Sequence, residues 1–412
     1  MIPLCALLSA AACDSLLDVE PPSRIPASSL DDPATAGLLL SGAVGDFECA
    51  YGAYVVMGGI VGEELVDATQ TADRWPYDRR VVQPSDRRYG EFACTDLGVY
   101  TPLSTARWAA ENVLAKLQVW TDAQVANRTV MIATAAAYSG YSHLLLGEAF
   151  CTGVLLDAQL VPGGEVPRAE LLLRAEERFT QAIAAAQAAG NADLRNMALV
   201  GRARTRLNLG NGAGAAADAA QVTANYVKLA SASTIATRRE NRVVSQNVTS
   251  NAVSIGPSYR GLTVGGVADP RVNVTDSGRN ATDGTRIWVQ NKYGGLATGI
   301  PLATWDETQL IIAEVQGGQT AVDIINMFRA RASLPLFASN DPAAIRAQVI
   351  EERRRELFLE GHHLGDIIRY DLSLTPAPNT PFAKGGTYGV EGNELCLPLP
   401  NVERLNNPLI GA

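Results

Sequence analysis

Apolar residues recur at three- and four-residue spacing along most of the chain, the pattern that predicts amphipathic helices. In the first part of the chain this spacing predicts helices over residues 33–57, 104–120, 122–149, 168–189, 194–209 and 212–226. Near the C-terminus it predicts helices over residues 304–316, 319–333, 341–361 and 363–372. The pattern therefore predicts a mainly α protein.

Small residues dominate the predicted helices and mark close contacts between them. The run from Ala133 to Ala137 and Gly140 would let neighbouring helices approach closely, and the break at Gly190 supplies a C-cap that precedes an N-cap at Asp193. Successive segments are similar to the arms of tetratricopeptide hairpins, whose repeat is about 34 residues. We therefore expect a scaffold of stacked helical pairs.

Between about residues 227 and 303 the helical pattern disappears, and Gly, Asn, Thr, Ser and Val take over. Short strands are predicted at Arg242–Ser245, Gly261–Val267 and Arg286–Val289, separated by Gly-containing turns. An insertion of this length in a compact protein is often functional. A Pro- and Gly-rich tail runs from Thr375 to Ala412. Residues 33–412 are predicted to form a single domain.

The N-terminal segment has the features of an export signal. Residues 1–12 are apolar and uncharged, too short to span a membrane but suited to the apolar region of a signal peptide. Small residues precede Cys13, as lipoprotein processing requires, so Cys13 is the predicted lipidation site. Residues 13–32, rich in Pro, Ser and Asp, form the predicted tether.

Composition and charge exclude several classes of function. The 412-residue chain is 47% hydrophobic and 19% charged, which is typical of a folded globular protein. Its formal net charge of −9 makes nucleic acid an unlikely partner, because phosphate neutralisation needs a positive surface. With three histidines and no CxxC pair, the usual zinc sites cannot form. We predict no cofactor and no metal site.

Removing the predicted signal peptide, which contains Cys5, and assigning Cys13 to the lipid leaves four of the six cysteines: Cys49, Cys94, Cys151 and Cys396. An even number in an exported protein indicates up to two disulfides, with three possible connectivities. We favour Cys49 with Cys94 and Cys151 with Cys396. The alternative is that some of them are buried free thiols.

The C-terminal third carries the most specific motifs of the chain. They are the segment Ile325–Ala332, the run IEERRRELFLEGHH at 350–363, and the Asp366-x-x-Arg369 that follows it. With the closing Leu-Pro-Leu-Pro at 397–400, these segments resemble the SusD/RagB family of outer-membrane nutrient-binding lipoproteins. Upstream, the cysteine tether, the helix ending at Phe150 and the region 300–314 are similar to the same family.

The resemblance implies a helical SusD-like fold with tetratricopeptide-like pairs and a non-catalytic role. Members of the family capture glycans or other nutrients and sit as a lid on a SusC-like TonB-dependent transporter of the outer membrane. This chain is accordingly expected on the cell surface, anchored by its lipid. The ligand, a glycan or a peptide, is left open, because one scaffold serves several substrate classes.

Sugar rings stack on aromatic side chains, so aromatic residues in polar loops are the candidate ligand contacts. Trp75 and Tyr77 stand out, because they lie in a charged, non-periodic segment. Tyr89, Trp288 and Tyr293 are the other candidates. Each of these rings could instead anchor its loop to the scaffold.

The glutamates of the ERRREL run are candidates for a catalytic pair, because glycosidases use paired carboxylates. Interleaved arginines would hold those acids ionised, so we interpret the run as a structural ion-pair network, and His362 and His363 as a cationic cap at a helix end. Two alternatives to capture remain. One is a surface scaffold or filament subunit built on the helical pairs; the other is a helical glycan-degrading enzyme using Glu63, Glu64 or Asp67.

Overall fold

The computed structural model describes residues 30–90, 93–156, 161–405 and 407–410. The predicted signal peptide, Cys13 and most of the predicted tether therefore lie outside the described residues. The described chain is mainly helical. Its helices are α1 Ala36–Val61, α2 Trp75–Asp78, α3 Tyr100–Val119, α4 Arg128–Ala149, α5 Arg168–Ala188, α6 Ala192–Asn208, α7 Gly212–Ala219, α8 Trp305–Gln316, α9 Gly318–Arg331, α10 Pro342–Glu356, α11 His363–Tyr370 and α12 Asn401–Arg404.

Ten short strands form five two-stranded antiparallel sheets within the described ranges. The pairs are β1 Leu65–Asp67 with β5 Val253–Ile255, β2 Thr152–Leu156 with β3 Pro162–Pro167, β4 Val227–Ala230 with β10 Ile300–Thr304, β6 Thr263–Val264 with β7 Val267–Ala268, and β8 Val274–Asn280 with β9 Arg286–Gln290. Most of them lie in the insertion between α7 and α8. The prediction of a mainly α scaffold with an irregular, β-containing insertion is confirmed.

Consecutive helices pack against one another, and glycines set how closely they approach. The buried ring of Phe179 on α5 lies against Gly140 of α4 and Gly201 of α6. A Cβ atom at Gly201 would stand 2.3 Å from Cζ of Phe179, and one at Gly140 would stand 2.8 Å from that ring. The predicted close approach of small-residue helices is thus confirmed for α4, α5 and α6.

Several predicted boundaries differ from the structure for local reasons. The Asn191 side chain, not Asp193, caps α6, because its oxygen accepts the Leu194 N–H at 3.0 Å. The predicted strand Arg242–Ser245 is wrong, since this segment runs into the π-helical turn Val244–Thr249. Asn241 accepts the Val244 N–H and starts that turn.

The acidic and basic side chains of the ERRREL run form the predicted structural network. Glu352, fully buried, accepts hydrogen bonds from Arg329 at 2.8 Å and Arg271 at 2.5 Å. Arg353 donates two hydrogen bonds, each of 2.9 Å, to Asp366. These pairs tie α10 to α9, to α11 and to the insertion.

The expectation that His362 and His363 form a cationic cap is wrong. Helix α10 ends at Glu356, and a turn with Gly361 at φ 73° leads into α11, which begins at His363. Both rings are buried. Burial, together with nearby arginine charge, holds the pKa of His362 well below its ordinary value and lowers that of His363 to about 3. Both imidazole rings are therefore neutral and buried, and neither provides a cationic cap.

Two disulfides fix peripheral segments to this scaffold. Cys49 on α1 is bonded to Cys94, with 5.8 Å between the Cα atoms, and Cys151 is bonded to Cys396, with 5.0 Å between them. This is the connectivity that the sequence analysis favoured. The second bridge spans 245 residues and holds the C-terminal tail against the end of α4.

Candidate functional site

A cavity of about 430 Å³ opens where the end of α1 and strand β1 meet three loops. The loops are residues 257–260, the turn 283–285 and the tail 375–391. Residues far apart in sequence therefore build one concave surface, the usual setting of a small-molecule site. We call it the tail cavity; its charged lining residues are Glu63, Asp67, Asp78, Arg80, Arg260, Asp283, Lys384 and Glu391.

Lys384 is the centre of one group of charges in the tail cavity. Its Nζ lies 2.8 Å from Oδ1 of Asp67 and 2.8 Å from Oδ2 of Asp283. Asp78 lies beside them and accepts the Asp67 N–H at 3.2 Å. Desolvation, and then the neighbouring charge of Asp67, raise the pKa of Asp78 to about 7. This wall holds more carboxylate than one lysine balances.

Arg80 is the centre of a second group of charges in the tail cavity. Its side chain is 1% exposed and lies between Glu391 at 3.5 Å and Glu63 at 3.9 Å. It also donates to the carbonyl of Pro376 at 2.6 Å, which holds the tail over the cavity. Burial raises the pKa values of Glu63 and Glu391, although Arg80 opposes the rise.

Aromatic rings flank the tail cavity. Trp75 on α2 packs edge-on against Tyr388, with 4.7 Å between ring centroids, and lies 5.9 Å from Phe382. Nζ of Lys384 stands 5.6 Å from the centre of the Trp75 ring. Tyr388 is 50% exposed, so part of this cluster faces solvent. We call Trp75, Phe382 and Tyr388 the aromatic cluster.

The predicted ligand contacts divide into two groups. Trp75 and Trp288 are half-buried, and Trp288 lies under the guanidinium of Arg260, a lining residue of the tail cavity, at 5.4 Å. Tyr77, Tyr89 and Tyr293 are at most 5% exposed and serve the core. The Tyr293 hydroxyl donates to the carbonyl of Leu359 at 2.9 Å. A buried ring offers no face to a sugar, so the loop-anchoring alternative describes these three.

Phe382, Lys384 and Tyr388 were missed by the sequence analysis. They lie in the tail, which its Pro and Gly content marked only as irregular. The segment PFAKGGTYG nevertheless places two aromatic residues and a lysine in a polar loop. This is the same signal that singled out Trp75.

The acids of the enzyme alternative do not form one constellation. Asp67 is paired with Arg74 at 2.6 Å as well as with Lys384. Glu64 does not line the tail cavity; it is 1% exposed and accepts the Leu359 N–H at 2.7 Å. Burial raises its pKa to about 8, against the opposing effects of that hydrogen bond and of Lys292.

Neither a metal-binding cluster nor a membrane-spanning helix occurs in the described ranges. They contain no group of three or more His, Cys, Asp or Glu side chains arranged to hold a metal ion. In the same ranges, no helix combines the length and the apolar character needed to cross a bilayer.

Comparison with known proteins supports the resemblance from two directions. Residues 310–393 match the model of the SusD family. This range contains the Ile325–Ala332 segment and the ERRREL run. None of the curated proteins compared matches the chain.

Solved structures match nearly the whole fold. A SusD superfamily protein from Bacteroides vulgatus ATCC 8482 is 15% identical, with a TM-score of 0.68 over 92% of this chain and 98% of that one. A laminarin-binding SusD-like protein is 16% identical, with a TM-score of 0.67 over the same shares. A SusD-like carbohydrate-binding protein from Bacteroides fragilis NCTC 9343 is 17% identical, with a TM-score of 0.65 over 92% and 99%. The resemblance predicted from the sequence is confirmed.

Proposed function

We propose that this chain, which has the SusD-like fold, captures glycans at the tail cavity and does not act on them chemically. The observation that carries the proposal is the exposed edge of the aromatic cluster beside a concave, mostly apolar cavity. The laminarin-binding and carbohydrate-binding proteins of the same fold support a sugar as the ligand.

The chemistry of the tail cavity suits a sugar ring. The apolar face of a pyranose stacks on an aromatic ring, and Tyr388 with Trp75 supplies such a surface. Hydroxyl groups need donors and acceptors around that ring. Ser258, Thr285 and the carboxylates near Lys384 lie along the lining and provide both.

The charge of the lining favours neutral glycans. Five carboxylates (Glu63, Asp67, Asp78, Asp283 and Glu391) and three cations (Arg80, Arg260 and Lys384) line the cavity, and Arg74, outside the lining, pairs with Asp67, which leaves an excess of one carboxylate. An acidic sugar entering this cavity would be repelled by the excess carboxylate. We therefore infer that neutral oligosaccharides bind here more tightly than uronic or sulfated ones.

Delivery is the second part of the proposed function. We infer that lipid on Cys13 anchors the chain to the outer membrane, exposed on the cell surface. From there it would act as the lid of a SusC-like TonB-dependent transporter. The family resemblance supports this role, and the predicted signal peptide and tether agree with it.

Glycan capture is tested by calorimetry with neutral β-glucan oligosaccharides and a broader panel of neutral glycans. We expect Y388A and W75A each to weaken binding about tenfold or more, because each removes stacking area worth about 1–3 kcal/mol. V119A, at an exposed position on α3 outside the cavity, is the matched control. Unchanged affinity in both aromatic variants would remove the tail cavity as the site.

Two further outcomes would contradict other parts of the proposal. Hydrolysis of a bound glycan that is lost in E63Q or D67N would favour the enzyme alternative. Mass spectrometry of the protein extracted gently from its own membranes tests delivery. Acylated Cys13 and a stoichiometric transporter are expected, whereas an unmodified terminus and self-assembly would favour the scaffold alternative.

A further inference from the structure

A second cavity, of about 230 Å³, lies between α3, α4, α5 and β2, and does not share a lining residue with the tail cavity. A single water needs only about 10–15 Å³ of such space. The lining includes three arginines, Arg107, Arg174 and Arg178, together with Glu111 and His143. We call it the Arg107 cavity.

Arg107 is a buried cation on α3. Its residue is 3% exposed, and its Nη1 makes a long bond of 3.5 Å to the carbonyl of Leu156. Among the residues that the structure describes, nothing hydrogen-bonds its Nε or Nη2. Leaving buried charged donors unpaired is costly. Burial accordingly lowers the pKa of Arg107, with Glu111 opposing the effect.

The Nε and Nη2 atoms form the edge of a guanidinium that holds the two oxygens of a carboxylate. Elsewhere in this chain the same edge is used in that way repeatedly. Each of these pairs has two bonds of 2.6–2.9 Å: Arg178–Glu111, Arg202–Asp218, Arg204–Glu148 and Arg353–Asp366. The edge of Arg107 lacks the group that this chemistry requires.

Neighbouring acids are already committed or distant. Both carboxylate oxygens of Glu111 accept hydrogen bonds from Arg178. One of these oxygens also accepts a hydrogen bond of 2.6 Å from the Ser139 hydroxyl. The charge of Glu403 reaches Arg107, but the two form no ion pair. His143 is buried, and burial and Arg107 lower its pKa to about 4. Its ring is therefore neutral near pH 7 and cannot balance or add to the charge of Arg107.

We propose that the Arg107 cavity binds a small ligand through a carboxylate group held by the Nε–Nη2 edge of Arg107. This inference does not depend on the proposed function, because the tail cavity takes no part in it. Neither nitrogen is open to solvent, so the ligand enters by displacing a lining side chain. Of the other two lining arginines, Arg174 is the more exposed, at 48% against 29% for Arg178.

The experiment compares acetate and glucuronate with acetamide, the uncharged analogue of acetate, at matched ionic strength, following the unfolding temperature and the heat of binding of the full chain. We expect both carboxylates to raise the unfolding temperature in proportion to the logarithm of their concentration, and acetamide to have no effect. R107K keeps the charge but loses the forked edge, so glucuronate affinity should fall about tenfold. R238Q removes an exposed arginine that pairs with Asp46 outside the cavity, so this variant should bind glucuronate with an affinity close to that of the unaltered chain.

Several results would overturn the proposal. They are the absence of a shift with both carboxylates, an equal shift with acetamide, or unchanged glucuronate affinity in R107K. E403Q and D157N, the second in a segment outside the described residues, test for an internal partner. A several-fold rise in glucuronate affinity in either variant would mean that the chain itself fills the edge of Arg107.

Discussion

Arg204 and Arg107 are both buried arginines on helices of the same scaffold, yet their surroundings are opposite. Arg204 donates to Glu148 through Nε at 2.8 Å and Nη2 at 2.6 Å, and to the carbonyl of Gly361 at 2.8 Å. Among the described residues, Arg107 hydrogen-bonds only the carbonyl of Leu156, at 3.5 Å. Burial alone would lower both pKa values, but Glu148 raises that of Arg204 well above its ordinary range.

The same contrast holds for buried acids. Burial favours a raised pKa for Glu148, but the charge and hydrogen bonds of Arg204 hold it below its ordinary value. Glu64 has no ion-pair partner among the described residues, and its pKa rises to about 8. For these two buried acids, the presence of a cationic partner at hydrogen-bond distance decides the direction of the pKa shift.

The largest effect is expected when the Arg204 pair is broken. R204M leaves Glu148 buried without its cation, which should cost about 3–5 kcal/mol in the free energy of unfolding measured with urea. The matched control is R174Q, which breaks the exposed pair with Glu170 and should cost less than about 1 kcal/mol. Equal losses in the two variants would mean that the buried pair has no special weight.

The next effect concerns the helix that carries Arg204. A methyl group at Gly201 would collide with the Phe179 ring, so G201A should push α6 away and cost about 1–3 kcal/mol. G42A is the control, because Gly42 is an exposed position of α1 with no atom within 4 Å of the added Cβ. There we expect a gain of up to about 1 kcal/mol in the same denaturation assay.

The raised pKa of Glu64 predicts that the free energy of unfolding depends on pH, which sharpens the contrast between paired and unpaired acids. Its pKa of about 8 in the folded state exceeds the unfolded value, so its contribution to stability is present at low pH and is lost as the pH rises toward 8. E64Q should remove this contribution, which is at most about 1.4 kcal/mol per pH unit. Denaturation at pH 5 and pH 8 measures it; an identical pH profile in E64Q would refute the assignment.

The smallest effect is expected at Arg107, and with the opposite sign to that at Arg204. R107M removes an unpaired buried charge and keeps most of the side-chain volume. In the absence of added carboxylates it should stabilise the fold by about 1 kcal/mol. A loss of stability in R107M would show that the guanidinium already has a partner.

The sequence alone determined the helical scaffold, because the spacing of apolar residues is a local property that each segment carries. The main errors were also local in origin. Helix α4 begins at Arg128, not at 122, and the predicted strand at Arg242–Ser245 became a helical turn. The types of side chain in the ERRREL run were sufficient to predict an ion-pair network, but not to predict which residues pair with each other.

Only the tertiary structure decided which side chains meet. Glu64 accepts the Leu359 N–H across 295 positions of the chain, and Arg204 meets Glu148 across 56. Tyr77 and Trp75, two residues apart in one charged segment, were equivalent in sequence, yet only Tyr77 is fully buried. Burial and pairing depend on contacts between distant segments, and no local pattern encodes those contacts. The tail cavity and the Arg107 cavity arise from such contacts.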